Sequence, residues 1–122
     1  MRPQGKIRIR RVYEAPGAEE GYRVLVDRVW PRGVSKDKLP IDSWDKKIAP
    51  TTELRRWFGH DPSRWEEFVR RYRQELAPQT GLLRDLLRSA GSGNLTLLYS
   101  ARDKEHNQAV VLQKVLEELK NG

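Results

Sequence analysis

Tyr22-Arg23-Val24-Leu25-Val26-Asp27-Arg28-Val29-Trp30 is the stretch on which the fold turns. Its β-branched and aromatic residues read as a strand, and the Val24-Leu25-Val26 centre has no polar face, which implies burial on both sides. Pro31-Arg32-Gly33 breaks it. A second stretch of the same kind, Asn94 to Ala101 (NLTLLYSA), is a continuous apolar run ending in small residues, as a buried strand is. Upstream, Ile7 to Tyr13 alternates apolar with basic residues and reads as an outer strand with one exposed face. Downstream of Gly33, a polar loop with a helical turn near Ser35 to Leu39 leads into a weak strand, Ser43 to Ala49, closed by Pro50.

Helical spacing fills the rest. Thr51 or Thr52 can cap a short helix over Thr52 to Phe58, with Leu54, Trp57 and Phe58 on one face. Asp61 is an N-cap followed by Pro62 at the first helical position, after which Trp65, Phe68, Val69, Tyr72 and Leu76 repeat. Thr80 to Ser89 carries Leu82, Leu83, Leu86 and Leu87 and stops at Gly91-Ser92-Gly93. Asp103 is expected to cap a last helix, about Lys104 to Lys120, facing inward through Ala109, Leu112, Val115, Leu116 and Leu119, with His106 in its first turn. Strands alternating with helices imply an α/β fold, a three-layer α/β/α sandwich around a small, about four-stranded, mostly parallel sheet. The link between the first two strands falls short of the roughly dozen residues a parallel crossover needs, so those strands are antiparallel or not neighbours.

One domain spanning residues 1-122 is expected from the length. Charged residues nearly equal apolar ones, 34% against 37%, but the apolar residues fall in periodic blocks, so the chain folds. No stretch resembles a signal peptide or reaches the roughly 18 apolar residues of a membrane span, which implies a cytoplasmic location and no membrane partner. The sequon Asn94-Leu95-Thr96 matters only in a secreted chain. The absence of cysteine excludes disulfides, thiolate metal sites and cysteine nucleophiles together. A net charge of +7 favours anionic partners, and Arg2, Lys6, Arg8, Arg10 and Arg11 concentrate it at the N-terminus with no acidic residue among them.

Four blocks carry a resemblance: Val26-Asp27-Arg28-Val29-Trp30-Pro31-Arg32-Gly33; Ala49-Pro50-Thr51; Leu54 to Pro62 (LRRWFGHDP); and Leu98-Tyr99-Ser100-Ala101-Arg102-Asp103 with His106-Asn107. Together they resemble domain-of-unknown-function family 488 (DUF488), YeaO-like branch, over about Ile7 to Leu119. Thr51 stands where the family often has Ser, and the hydroxyl is kept. The resemblance implies a helix between the first two strands in longer relatives, hence a parallel arrangement, and it specifies neither a reaction nor a cofactor.

Open α/β sheets bind ligands at the carboxyl ends of strands beside a switch in strand order. If the two apolar strands are neighbours, Arg28, Arg32 and Arg102 converge there, next to Ser100, Asn107 and a helix N-terminus, a setting that favours phosphate or carboxylate. The competing reading pairs Arg28 or Arg102 with Asp27, Asp61 or Asp103 as loop ties. Trp30 is the candidate pocket wall, while Trp57 and Trp65 lie on core stripes. His106 and Asp103 are the candidates for proton transfer. Ser100 lacks the glycine pattern of a nucleophile elbow. His60-Asp61 resembles the metal pair of HD phosphohydrolases, but the chain has only His60 and His106, so that class is excluded and no metal site is assigned. Gly91-Ser92-Gly93 precedes a strand and is not a phosphate loop. The leading expectation is a binder of, or enzyme acting on, a phosphorylated or nucleotide-like anionic small molecule. The alternatives are a nucleic-acid-binding module using the basic surface and a non-catalytic protein-interaction domain.

Overall fold

The computed structural model describes residues 5–17 and 19–122, so Arg2 of the basic N-terminus lies outside the described residues. Four strands, β1 (Ile7–Arg11), β2 (Tyr22–Leu25), β3 (Ser43–Trp44) and β4 (Leu95–Tyr99), form one sheet in the order β1-β4-β2-β3. Every pairing is parallel, and β4 lies between β1 and β2, with Ile9 and Val24 both in register with Leu97. The first two strands are therefore not neighbours, and one short link carries the chain back along the sheet between them. Helices α1 (Thr52–Phe58), α2 (Trp65–Leu76), α3 (Thr80–Ala90) and α4 (Gln108–Asn121) complete the α/β fold. No helix among the described residues is long and apolar enough to cross a membrane.

Side chains alternate across a strand, so in-register parallel strands share faces. One face presents Ile7, Ile9, Val24, Val26, Leu95 and Leu97 to the buried residues of all four helices. The other presents Leu25 and Leu98 to a smaller cluster with Val12, Trp30, Val34, Leu39 and Ile41. The sheet is thus covered on both faces, and the layer over the second face is built by the connections after β1 and β2.

The β1–β2 link is fastened by charge. Glu20, 3% exposed, pairs with Arg10 of β1 and with Arg23 of β2, the latter at 2.9 Å. Its carbonyl accepts from the Thr96 hydroxyl of β4 at 2.7 Å. Gly21 then turns at φ 65, where a Cβ would sit 2.1 Å from the Asn94 carbonyl oxygen, so only glycine fits.

Three expectations change at element ends. The weak strand over Ser43 to Ala49 is only Ser43–Trp44, and Lys46–Ile48 winds into a 3-10 turn that drives Ile48 into the core. The Ile48 carbonyl there accepts from the buried Tyr72 hydroxyl at 2.5 Å. The strand expected to reach Trp30 leaves the ladder after the Val26 N–H bonds to Leu98 O, freeing residues 27–32. Asp103 does not cap the last helix. Its Oδ1 is used by the N–H groups of Glu105 and His106, while Asn107 caps α4 by accepting from Ala109 and Val110. The helix begins about one turn later than expected, and His106 sits in the loop before it.

Candidate functional site

The chain leaves β2 over one face of the sheet and β4 over the other, so their adjacent carboxyl ends open a crevice at the switch in strand order. A pocket of about 270 Å³ occupies it. Residues 27–32 form one wall, Ser100 and Ala101 with His106 to Gln108 a second, and Arg55, Phe58, His60 and Phe68 the third.

The first wall is rigid. Trp30 lines the pocket, donates its indole N–H to Val34 O at 2.7 Å and meets Trp44 edge-on at 5.2 Å. Trp44 in turn donates to Asp27 O at 2.7 Å, which fixes the backbone where β2 ends. Arg28 lines the pocket but donates to the carbonyls of Pro50 at 2.8 Å and Ala49 at 3.2 Å. It ties β2 to the start of α1 through backbone oxygens rather than to a carboxylate. Arg32 also lines the pocket, and its side chain makes no hydrogen bond or ion pair among the described residues.

On the second wall, Asn107 is buried and organises the loop. Its Nδ2 donates to Asp103 O at 2.9 Å while its Oδ1 caps α4. His106 Nδ1 lies 2.9 Å from Asp103 Oδ2, and its ring meets Trp65 edge-on at 5.2 Å. Asp103 is held below the usual aspartate range, first by the Glu105 N–H and then by His106. In the neutral imidazole, Nδ1 donating to the carboxylate leaves Nε2 as the acceptor nitrogen. The structure thus brings Arg28, Trp30, Arg32, Ser100, His106 and Asn107 to one pocket, with Asp103 behind His106. Arg102 is exposed and does not line it.

Arg55 takes the place expected of Arg102. It projects from α1 into the lining, and its side chain has no hydrogen bond or ion pair among the described residues. In the sequence Arg55 falls in a helix whose apolar face reads as core packing; only the return of α1 to the end of β2 brings it here. Asp27, one of the three carboxylates that the competing reading offers to Arg28 or Arg102, forms no ion pair among the described residues. It is 8% exposed, and Gln108 Nε2 donates to its Oδ1 at 2.5 Å. Burial pushes its pKa up, against hydrogen bonding from Ser100 and Gln108 and the charge of Arg55. His60 sits at the rim in a left-handed conformation, φ 58, directly after Gly59 at φ 55. A non-glycine residue held there is uncommon, and such backbone concentrates at functional sites. Among the described residues, no cluster of three or more His, Asp or Glu could hold a metal ion.

His106 is turned to Asp103 and makes no hydrogen bond to Ser100 among the described residues, so no Ser-His-Asp relay is assembled. The basic N-terminal strand is committed internally as well. Arg8 donates to Glu19 O, Arg10 to Ala15 O and to Glu20, and Arg11 to Ser100 O and Ala101 O. Of the guanidiniums lining the strand-end pocket, those of Arg32 and Arg55 carry no hydrogen bond or ion pair among the described residues.

Among known proteins, the chain is 42% identical to "Uncharacterized protein YeaO" of Escherichia coli (strain K12), a match covering 93% of this chain and 98% of that one. It is 39% identical to "Uncharacterized protein Rv3073c" of Mycobacterium tuberculosis (strain ATCC 25618 / H37Rv), over 91% of this chain and 93% of that one. No solved structure gives a significant match. The family model described as the inactive DUF488-N3 subclade matches residues 6–121, nearly the whole described chain including every residue of the pocket. The chain belongs to that subclade of the DUF488 family.

Proposed function

We propose that this chain is a binding domain that holds a small molecule carrying a phosphate or carboxylate in the pocket between β2 and β4, without turning it over. The observation that carries the reading is that two lining guanidiniums, Arg32 and Arg55, have no ion-pair partner among the described residues and face a cavity at the strand ends. Guanidinium supplies paired donors to phosphate or carboxylate. The pocket is slightly smaller than the usual range for drug-sized ligands, which starts near 300 Å³, so it suits a phosphorylated fragment better than a whole nucleotide.

Binding without chemistry is supported by the subclade's description as inactive and by the absence, among the described residues, of a hydrogen bond between Ser100 and His106. One observation favours the second reading, an enzyme: the His106–Asp103 pair has the geometry that orients a general base. Nucleic-acid binding through the N-terminal strand has no such support, because Arg8, Arg10 and Arg11 are engaged within the fold.

Calorimetric titration with inorganic phosphate and with ethyl phosphate tests the reading. One saturable site per chain is expected, weakened at least about tenfold in Arg55→Ala, the equivalent of roughly 1.4 kcal/mol, and retained in Arg102→Ala. Equal losses in the two variants, or no saturable binding, would overturn it. Salt-steep binding of short DNA or RNA that is indifferent to Arg55→Ala would select the nucleic-acid reading instead. Conversion of a bound phosphate ester that stops in His106→Gln would select the enzyme.

A further inference from the structure

The pocket contains one group that an anion alone leaves unexplained. Asp27 stands at the end of β2 in the pocket lining, is 8% exposed, and belongs to no ion pair among the described residues. Its side-chain hydrogen-bond partner among the described residues is the neutral Gln108 amide, at 2.5 Å. An ionised carboxylate accepts about four hydrogen bonds, so Asp27 has accepting capacity left over.

Burying a carboxylate without a cation is costly, and proteins avoid it unless the group is used. The nearest cationic groups of the lining do not relieve it. Arg28 is spent on the carbonyls of Pro50 and Ala49. Arg55, from α1, acts on Asp27 only through its charge, the smallest of the effects on that carboxyl. His106 is turned to Asp103, and His60 and Arg32 complete the titratable and charged groups of the lining. The arrangement is therefore two-sided: free guanidinium on one part of the cavity wall, an under-compensated carboxylate on another.

We infer that the ligand is bipolar, with its phosphate or carboxylate on Arg32 and Arg55 and a protonated amine set on the Asp27 carboxylate. This rests on the reading of the pocket as an anion site and adds the second half of the recognition. It also explains why the pocket keeps an acidic group that opposes anion binding. A plain anion meets repulsion from Asp27, whereas an amine on the same molecule converts that repulsion into a charge-assisted hydrogen bond. The same arrangement makes simple phosphate bind more weakly than an amine-bearing ester, because it leaves Asp27 without a cation.

The probes that separate the halves are ethyl phosphate and O-phosphoethanolamine, which differ by one terminal ammonium. Titrated calorimetrically into the whole chain near pH 7, O-phosphoethanolamine is expected to bind at least about tenfold more tightly. In Asp27→Asn that preference should vanish while ethyl phosphate binds at least as well as before, because an anion no longer faces a carboxylate. The comparison of the two esters on the unmodified chain needs no variant to fold. Equal affinity for the two esters would overturn the bipolar ligand and leave the anion site standing. Binding of neither would overturn the anion site and this inference with it.

Discussion

Asp27 shows how one side chain sets a pH dependence whose sign follows from burial. Its carboxyl is raised by desolvation, so the folded chain holds that proton more tightly than the unfolded chain does. A group of this kind lowers stability as pH climbs from the ordinary aspartate range through the folded-state value. The ligand-free protein with Asp27→Asn should therefore be more stable than the parent at neutral pH, with the gain shrinking toward about pH 4. Urea titrations at a series of pH values check it, and a gain that grows on acidification would contradict it. Asp103 acts in the opposite sense. It is depressed by the Glu105 N–H and by His106, so its contribution is present at neutral pH and is lost as pH falls through its lowered value. Residue type and position made Asp103 and His106 visible in the sequence. The burial that distinguishes Asp27 from any other aspartate after a strand was not, because it depends on Gln108 and Ser100 arriving from the far end of the chain.

Elements in this chain are held at their ends more than their lengths suggest. Helix α1 has seven residues, too short to persist alone, and Thr51 closes its first turn by accepting from the Leu54 N–H at 3.2 Å. The same hydroxyl donates to Glu75 of α2 at 2.6 Å, and the Thr51 N–H donates to that carboxylate at 2.9 Å. Thr51→Ser should be nearly neutral, because the hydroxyl that caps α1 is kept. Thr51→Val should cost about 1 kcal/mol in urea unfolding and lower phosphate affinity, because α1 carries Arg55. A larger demand falls on Glu20 in the β1–β2 link. Glu20→Leu strands Arg23, 7% exposed, without its carboxylate, and should cost about 3 kcal/mol. Arg10→Met should cost less, since Arg10 is a quarter exposed. A loss below about 0.5 kcal/mol for Glu20→Leu would place the pair with surface ion pairs such as Arg88–Asp85. Nothing in the sequence distinguished Glu20 from Glu19 beside it. The apolar strand centres and helix stripes were legible because their periods are local; the element ends were misplaced where two caps competed, as Asp103 and Asn107 did.

At the scale of the molecule, the order β1-β4-β2-β3 draws the last strand between the first two, so the pocket is assembled from parts far apart in the chain. That explains why the sequence points to the crevice and names part of its lining, yet offers Arg102 and passes over Arg55. Strand ends can be read locally, whereas the helix that closes the crevice is fixed only by the return path across the sheet. The same topology makes a prediction about how a ligand is felt. Arg32 belongs to the connection after β2, Arg55 to α1, Ser100 to the end of β4 and Gln108 to α4, so a ligand that touches them bridges both halves of the chain. At a concentration about 100 times its Kd, such a ligand should raise global stability by roughly 2.7 kcal/mol. Amide exchange should slow together in β2, β4 and the first turn of α4, with the cooperative unfolding of a single core. Protection confined to α1 and its neighbours would mean that the guanidinium of Arg55 binds anions at the surface and that the strand-end crevice is not the seat of recognition.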